Sequence, residues 1–395
     1  MSWSLTSEEV PPQLVRDLSG RPLDLEPDIG RHPASDLRQP RGQDRGGTSR
    51  VTTAPRVDGD TWLAQLPATV GEAMDRWQLA RDHSAPLRSG YTALVVPVLR
   101  PRGDAGVLKV GWPHPEADHE HLALRAWAGR GAVELLAADP ASATLLLERL
   151  DADRDLTSGS VLETTEALGH LVRVLDRPAP PWPPPLSLHV ARIADQLDRF
   201  GAGSGAAKAF PRRMVQQAAS IARDLLSEGE ATGGPRSTGG ARDSGGPRGT
   251  GGPQGTGGRR GSGRAGSPRG GEGLHPLDAR LVHADLHQGN VLWRPDPGEW
   301  VAIDPKAMAA DPHWALAPAL WNRWDDVRAA HDARAHLQLR IGLLSDAAGL
   351  DEDRARAMTI LRLVHNAVHA AQTGDPDAAE WADKAVTIVK AAQPG

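Results

Sequence analysis

Cysteine is absent from the 395 residues, which excludes a disulfide framework and a thiolate metal centre and fits a reducing compartment. No run of 18 or more apolar residues occurs, and no charged-then-apolar leader opens the chain. Neither a membrane span nor a secretory signal is therefore expected, and the chain reads as cytoplasmic. Neither sign of charge is in large excess. Lys and Arg number 45 against 50 Asp and Glu, a net charge of −5 that exerts no pull toward nucleic acid and mildly favours a cationic small molecule. Phenylalanine and tyrosine are scarce beside twelve tryptophans, an imbalance that accompanies heavy Ala, Arg, Gly and Pro usage and reads as coding bias.

What is abundant is glycine (43) and proline (33), and where they cluster, ordering entropy outweighs the little apolar surface to be buried. Residues 1–57, rich in Pro, Arg, Asp and Gly without sustained periodicity, are expected to form a disordered tail. Residues 227–273 repeat Gly-Gly-Pro, Ser-Gly and Thr-Gly units with Arg between them, and read as a flexible insertion. Between these lies a small unit over 58–150. Trp62, Leu66, Val70, Met74 and Trp77 recur at helical spacing. Apolar strands follow over 92–99 and 105–110 around the turn Pro101-Arg102-Gly103-Asp104, then a helix over 115–128, then strands over 133–138 and 144–150. From 151 to 395 the pattern is mainly helical, over 161–175, 188–200, 214–226, 327–344 and 354–371. The fold class expected is α+β and bilobal, a small antiparallel lobe with one helix against a larger helical lobe, with a cleft between them for ligands.

The most specific motif is Leu281-Val282-His283-Ala284-Asp285-Leu286-His287-Gln288-Gly289-Asn290-Val291-Leu292. It keeps the His-x-Asp-Leu-x-x-x-Asn spacing of a kinase catalytic loop, with Ala284 where protein kinases carry Arg. Phosphoryl transfer needs a carboxylate to orient the attacking hydroxyl and take its proton, an oxygen ligand for Mg²⁺ a few residues on, and a second metal carboxylate nearby. Asp285, Asn290 and Asp304 can supply them in that order. Asp304 is expected within Val301-Ala302-Ile303-Asp304-Pro305, a short apolar strand returning after the turn Arg294-Pro295-Asp296-Pro297-Gly298. The competing use of His283, Asp285 and His287 as zinc ligands lacks a further histidine at ligand spacing.

In the small lobe, Lys109 stands inside the apolar strand Val107-Leu108-Lys109-Val110, where a cation is costly without anionic partners. The phosphates of ATP and the carboxylate of Glu120 are the partners expected; snorkelling to water is the bland alternative, and Glu116 competes for the ion pair. Ser89 and Gly90, in Arg88-Ser89-Gly90-Tyr91-Thr92, open the first strand and form a candidate phosphate loop with a single glycine. Leu147-Glu148-Arg149-Leu150 is the expected hinge beside the adenine. Asp311, Asp325 and Asp326, near Trp321 and Trp324, are carboxylates that a cationic acceptor could meet, although an Asp-Asp pair opening a helix serves as a cap more often than as a ligand site.

With these residues in place, the chain resembles the aminoglycoside phosphotransferases, and within them the streptomycin 6-phosphotransferase branch of the aminoglycoside/hydroxyurea resistance kinases. The stretches that carry the resemblance are Trp62-Leu63-Ala64-Gln65-Leu66-Pro67, Asp75-Arg76-Trp77, residues 94–99, 145–150 and 283–292, and Ala302-Ile303-Asp304-Pro305-Lys306. The resemblance implies a protein-kinase-like fold and an ATP- and Mg²⁺-dependent O-phosphotransferase that inactivates a streptomycin-like antibiotic. Asp285 is then the base, Asn290 and Asp304 the metal ligands, and Lys109 the phosphate-binding lysine paired with Glu120. Lys306 and Ala315 depart from the acidic residues the pattern has there, and loss of a carboxylate at 315 removes a brace from the catalytic loop. Two rivals share the fold: a kinase of hydroxyurea or another small hydroxylated metabolite, and a degenerate nucleotide-binding protein without turnover.

Overall fold

Helix α1 (Pro12–Leu18) and helix α2 (Gly59–Arg76) pack on one another at the start of the chain in the computed structural model, which describes residues 3–22, 53–202, 210–232 and 274–393. Asp58 starts α2, its carboxylate accepting from the Thr61 amide at 2.8 Å. Next come β1 (Ala80–Arg81), β2 (Arg88–Ser89), β3 (Ala93–Leu99), β4 (Ala105–Gly111), helix α3 (Glu120–Trp127), β5 (Leu135–Asp139) and β6 (Thr144–Glu148). These strands form one antiparallel sheet in the order β1-β3-β4-β6-β5, with β2 also on β3.

Side chains alternate across a strand, so this sheet serves two apolar layers. Leu94, Val96, Val98, Leu108, Val110 and Leu146 join α1 and α2 in one core, while Leu145 and Leu147 belong to a second core with α3 and the large lobe. Trp127 ties α3 to the large lobe, its indole N–H donating to the Leu175 carbonyl at 2.9 Å.

The larger lobe follows with β7 (Asp151–Asp155), α4 (Val161–Leu175), α5 (Leu186–Ala202), α6 (Arg212–Thr232), β8 (Arg280–His283), β9 (Val291–Arg294), β10 (Glu299–Ala302), β11 (Ala307–Ala310), α7 (Pro318–Trp321), α8 (Trp324–Ala329), α9 (Ala333–Ala348), α10 (Glu352–Thr373) and α11 (Ala378–Ala392). Two small sheets, β10-β9-β7 and β11-β8, carry the loops that face the small lobe. The architecture is the bilobal, protein-kinase-like one expected from the order of elements. Among the described residues, no helix is long and apolar enough to cross a membrane.

Several boundaries differ from expectation. The segment assigned to a disordered tail over 1–57 is ordered in part: Leu5, Val10, Leu14 and Leu18 are buried against Trp62, Leu66 and Val70. These residues give only a 3-10 turn and a seven-residue helix, too little to stand alone, and docking on α2 supplies the apolar partner that local periodicity lacked. The crossing depends on Gly59, where a Cβ would lie 2.0 Å from the Leu18 carbonyl oxygen; the Gly59 N–H donates to the Arg21 carbonyl at 2.9 Å. Residues 23–52 of that tail lie outside the described residues. The insertion assigned to 227–273 starts later, since residues 227–232 complete α6, with Glu228 held by Arg354 at 2.7 Å. Residues 233–273 lie outside the described residues. The helix expected over 327–344 is two helices, α8 and α9, the second restarted by Asp332, whose carboxylate accepts from the Ala335 amide at 3.0 Å.

Truncating Leu14 tests whether the N-terminal segment belongs to the small-lobe core. Leu14→Ala is expected to lower unfolding stability by about 2–5 kcal/mol, the range for a buried leucine, measured by urea denaturation followed through tryptophan fluorescence.

Candidate active site

Because Leu108 and Val110 face the α2 layer, Lys109 between them points to the other face of the sheet, where α3 begins. Its Nζ lies 2.6 and 2.8 Å from the two carboxylate oxygens of Glu120. The same ammonium lies 2.6 Å from Asp304 Oδ1, across the cleft. Burial works to lower the Lys109 pKa, but the Asp304 and Glu120 carboxylates outweigh it and hold the group charged. For Glu120 burial raises the pKa, offset in part by Lys109. In Asp304 burial also works upward, yet the Lys109 ammonium wins and keeps this half-exposed carboxyl below the usual range.

The catalytic loop is hung from β8 by its own histidine. His283 Nε2 lies 3.0 Å from the Ile303 carbonyl, and its Nδ1 lies 3.2 Å from the Asp285 amide. A carbonyl only accepts and an amide only donates, so one neutral tautomer satisfies both, protonated on Nε2. Burial pulls the ring down to about 4, in keeping with that neutral state. His283 thus joins the loop of Asp285 to the chain just before Asp304, and neither nitrogen is left for a metal. In His287 it is Nδ1 that is engaged, accepting from the Gly289 amide at 3.1 Å.

Asn290 donates from Nδ2 to the Asp285 carbonyl at 2.9 Å, which fixes its amide and leaves Oδ1 as the atom suited to a cation. The Ile303 amide donates to the Asn290 carbonyl at 2.9 Å, tying the two expected metal ligands through the backbone. Asp304 is not in a strand, as expected, but in the turn after β10 with φ +54°, a left-handed conformation that Asp tolerates better than most residues. Among the described residues no group of three His, Asp or Glu side chains gathers as a metal cage. Asn290 and Asp304 offer two hard oxygens, a set that fits Mg²⁺ completed by phosphate oxygens and water better than it fits a structural zinc site.

Two buried cations hold the catalytic loop: Lys306, noted above only as a departure from an acidic residue, and Arg362, which no motif marks. Lys306 Nζ lies 3.0 Å from Asp285 Oδ2 and 3.0 Å from Glu116 Oε2, with all three side chains less than a tenth exposed. Arg362, fully buried on α10, donates to the carbonyls of Ala284 and Trp314 and lies under the Trp314 and Trp321 rings. The loop brace that Ala315 lacks as a carboxylate therefore comes from the opposite charge, on another helix. Both cations sit in apolar runs, 301–310 and 360–364, and the argument that singled out Lys109 applies to them equally.

The remaining candidates fall into place as follows. Glu120, not Glu116, pairs with Lys109. Ser89 and Gly90 form the tip of the β2–β3 hairpin, with Ser89 paired to Leu94 and the Gly90 amide donating to the Ala93 carbonyl at 3.0 Å. Residues 147–150 sit where the small-lobe sheet gives way to β7, and Glu148 reaches Arg294 of β9 at 3.0 Å. The three aspartates considered for an acceptor are engaged locally: Asp311 with His313 and with Arg354, Asp326 with Arg323, and Asp325 with Arg328. Trp321 and Trp324 are core.

A bilobal fold with a Lys–Glu pair, an Asp loop and a second Asp facing one cleft defines a small-molecule kinase that uses a nucleoside triphosphate. The family model of the aminoglycoside/hydroxyurea antibiotic resistance kinases matches residues 76–234 and 274–374, and the chain belongs to that family. It is 34% identical over 338 residues to a streptomycin 6-kinase of Streptomyces glaucescens, covering 85% of this chain and 91% of that protein. It is 36% identical over 317 residues to a streptomycin 6-kinase of Streptomyces griseus, covering 80% and 87%. To a hydroxyurea phosphotransferase of Kitasatospora aureofaciens it is 33% identical over 325 residues, covering 80% and 76%. The protein is a phosphotransferase acting on a hydroxylated small molecule.

Arg362→Ala removes the donors from two buried carbonyls and leaves a cavity beneath two tryptophans. A loss of about 3 kcal/mol in unfolding free energy is expected from urea titration, together with a lower melting temperature.

Proposed function

We propose that this chain transfers the γ-phosphoryl group of ATP to a hydroxyl of a streptomycin-like aminoglycoside and so confers resistance to the drug. What supports the reading is the set Lys109, Glu120, Asp285, Asn290 and Asp304 around one cleft, together with the similarity to two streptomycin kinases.

Lys109 would bind phosphate oxygens while Glu120 holds its ammonium in place, and Ser89 and Gly90 at the β2–β3 hairpin tip would supply the phosphate loop. Asp285 orients the acceptor hydroxyl and takes its proton as the new O–P bond forms. The bond from the γ-phosphorus to the bridging oxygen breaks, and ADP leaves with that oxygen. Asn290 and Asp304 would hold Mg²⁺, which supplies neutralisation of phosphate charge when bound. The nucleotide requirement fits work in the cytoplasm. The hydroxyurea phosphotransferase among the relatives supports a second reading, with hydroxyurea as the acceptor.

An acceptor panel separates the two readings. Purified protein with Mg-ATP is expected to release ADP and add one phosphoryl group to streptomycin, as seen by mass spectrometry. Turnover with hydroxyurea and none with streptomycin would replace the first reading with the second. Asp285→Asn is expected to lower kcat by on the order of 10²–10⁴-fold with ATP binding retained; an active variant would remove Asp285 from the chemistry. Chelation by EDTA is expected to stop turnover and added Mg²⁺ to restore it, while the melting temperature of the nucleotide-free protein stays unchanged.

A further inference from the structure

We propose that Lys306 is a positioning residue for the transfer step: anchored from the small lobe by Glu116, it grips one oxygen of Asp285 and thereby presents the other to the acceptor hydroxyl. The inference rests on the assignment of Asp285 as the base.

The chain of contacts crosses the cleft. Glu116 lies in the 3-10 turn Pro115–Ala117 between β4 and α3, in the small lobe. Lys306 lies between Asp304 and β11, in the large lobe. Its Nζ is 3.0 Å from Glu116 Oε2 and 3.0 Å from Asp285 Oδ2. Its backbone carbonyl accepts from the Ala284 amide at 2.8 Å, so Lys306 is registered against the catalytic loop by main chain as well as side chain. Burial raises the Glu116 pKa and Lys306 works against it, as expected for a carboxylate kept out of water by an ammonium.

The arrangement makes little sense as a plain stabilising bridge. Burying three charged groups costs desolvation that their attraction seldom repays, and an apolar trio of similar volume is often as stable. It makes sense if one of the carboxylates has to be held. A carboxylate free to turn about its last torsion offers its oxygens to a hydroxyl in many orientations, whereas one bonded through Oδ2 offers Oδ1 in one. Misplacing a reacting group by about 1 Å costs on the order of 10²-fold in rate. The Glu116 end then makes the alignment of Asp285 depend on the two lobes being together. Lys109 and Asp304, which also meet across the cleft, are the groups proposed to engage the nucleotide, whereas Lys306 is turned to Asp285.

The experiment compares full-length wild type, Lys306→Met, Lys306→Arg, Glu116→Gln and Asp285→Asn. Each is assayed with Mg-ATP and streptomycin, and in parallel without acceptor for slow ATP hydrolysis, in which water stands in for the drug hydroxyl. Affinity for a non-hydrolysable ATP analogue and the melting temperature are measured alongside. Lys306→Met is expected to lower kcat by on the order of 10²-fold, with the ATP KM and the analogue Kd within about threefold of wild type. Lys306→Arg, which keeps the charge, is expected to recover roughly a tenth of wild-type kcat or more, and Glu116→Gln to lose about tenfold. Glu116→Gln is nearly isosteric and keeps the test open should Lys306→Met not fold.

Wild-type kcat in both Lys306→Met and Glu116→Gln, with Asp285→Asn inactive, overturns the proposal and leaves the base assignment standing. A loss that appears in analogue affinity and not in kcat overturns it too, by making Lys306 a nucleotide ligand. Full activity of Asp285→Asn instead removes the base assignment itself. A wild type inert toward streptomycin sinks the acceptor reading, and the hydrolysis arm then decides on Lys306.

Discussion

The ammonium of Lys109, held between Glu120 and Asp304, is the interaction on which the cleft depends. A lysine in the middle of an apolar strand is tolerated only because both carboxylates reach it, one from the helix laid across the sheet and one from the other lobe. The two-residue period of β4 turns Lys109 away from the core it interrupts, and the start of α3 brings Glu120 to meet it. That single contact therefore registers sheet, helix and large lobe against one another.

The same economy governs three further buried cations. Lys306 is answered by two carboxylates, Arg362 by two carbonyls and two indole rings, and Arg294 by Glu148 and Glu299 with the carbonyls of Gly129 and Ala132. Arg294 joins β9 to the small lobe, so Lys109, Lys306 and Arg294 each make a buried contact that spans the two lobes. Each lies close to the residues that would bind nucleotide or carry the reaction. Such contacts are poor sources of net stability and good sources of fixed geometry, which suits a site whose task is alignment.

Three carboxylates of the larger lobe are already paired with cations of this chain. Asp311, Asp325 and Asp326, the carboxylates that a cationic drug would be expected to meet, spend themselves on His313 and Arg354, on Arg328 and on Arg323. The family is described by acceptors as different as an aminoglycoside and hydroxyurea, and the groups proposed to handle phosphate serve either equally.

By itself the sequence determined the strands and helices whose apolar periods are strong. Helix α4 falls on the expected 161–175, and β3 and β4 fall within a residue of expectation. It singled out too Asp285, Asn290, Asp304 and Lys109 with Glu120 as candidates, and the contacts of Lys109 with Glu120 and Asp304 and of Asn290 with the Asp285 carbonyl bring them to one cleft. The tertiary structure decided whatever depended on a partner far along the chain. The N-terminal leucines fold against α2, Glu120 at the start of α3 meets Lys109 while Glu116 in the turn before it meets Lys306, and His283 becomes a brace only when Ile303 stands opposite. Lys306 and Arg362 stood in apolar runs where their charge was plain to see. Which anion or carbonyl each would find is a matter of distance through space, and a pattern along the chain holds no record of it.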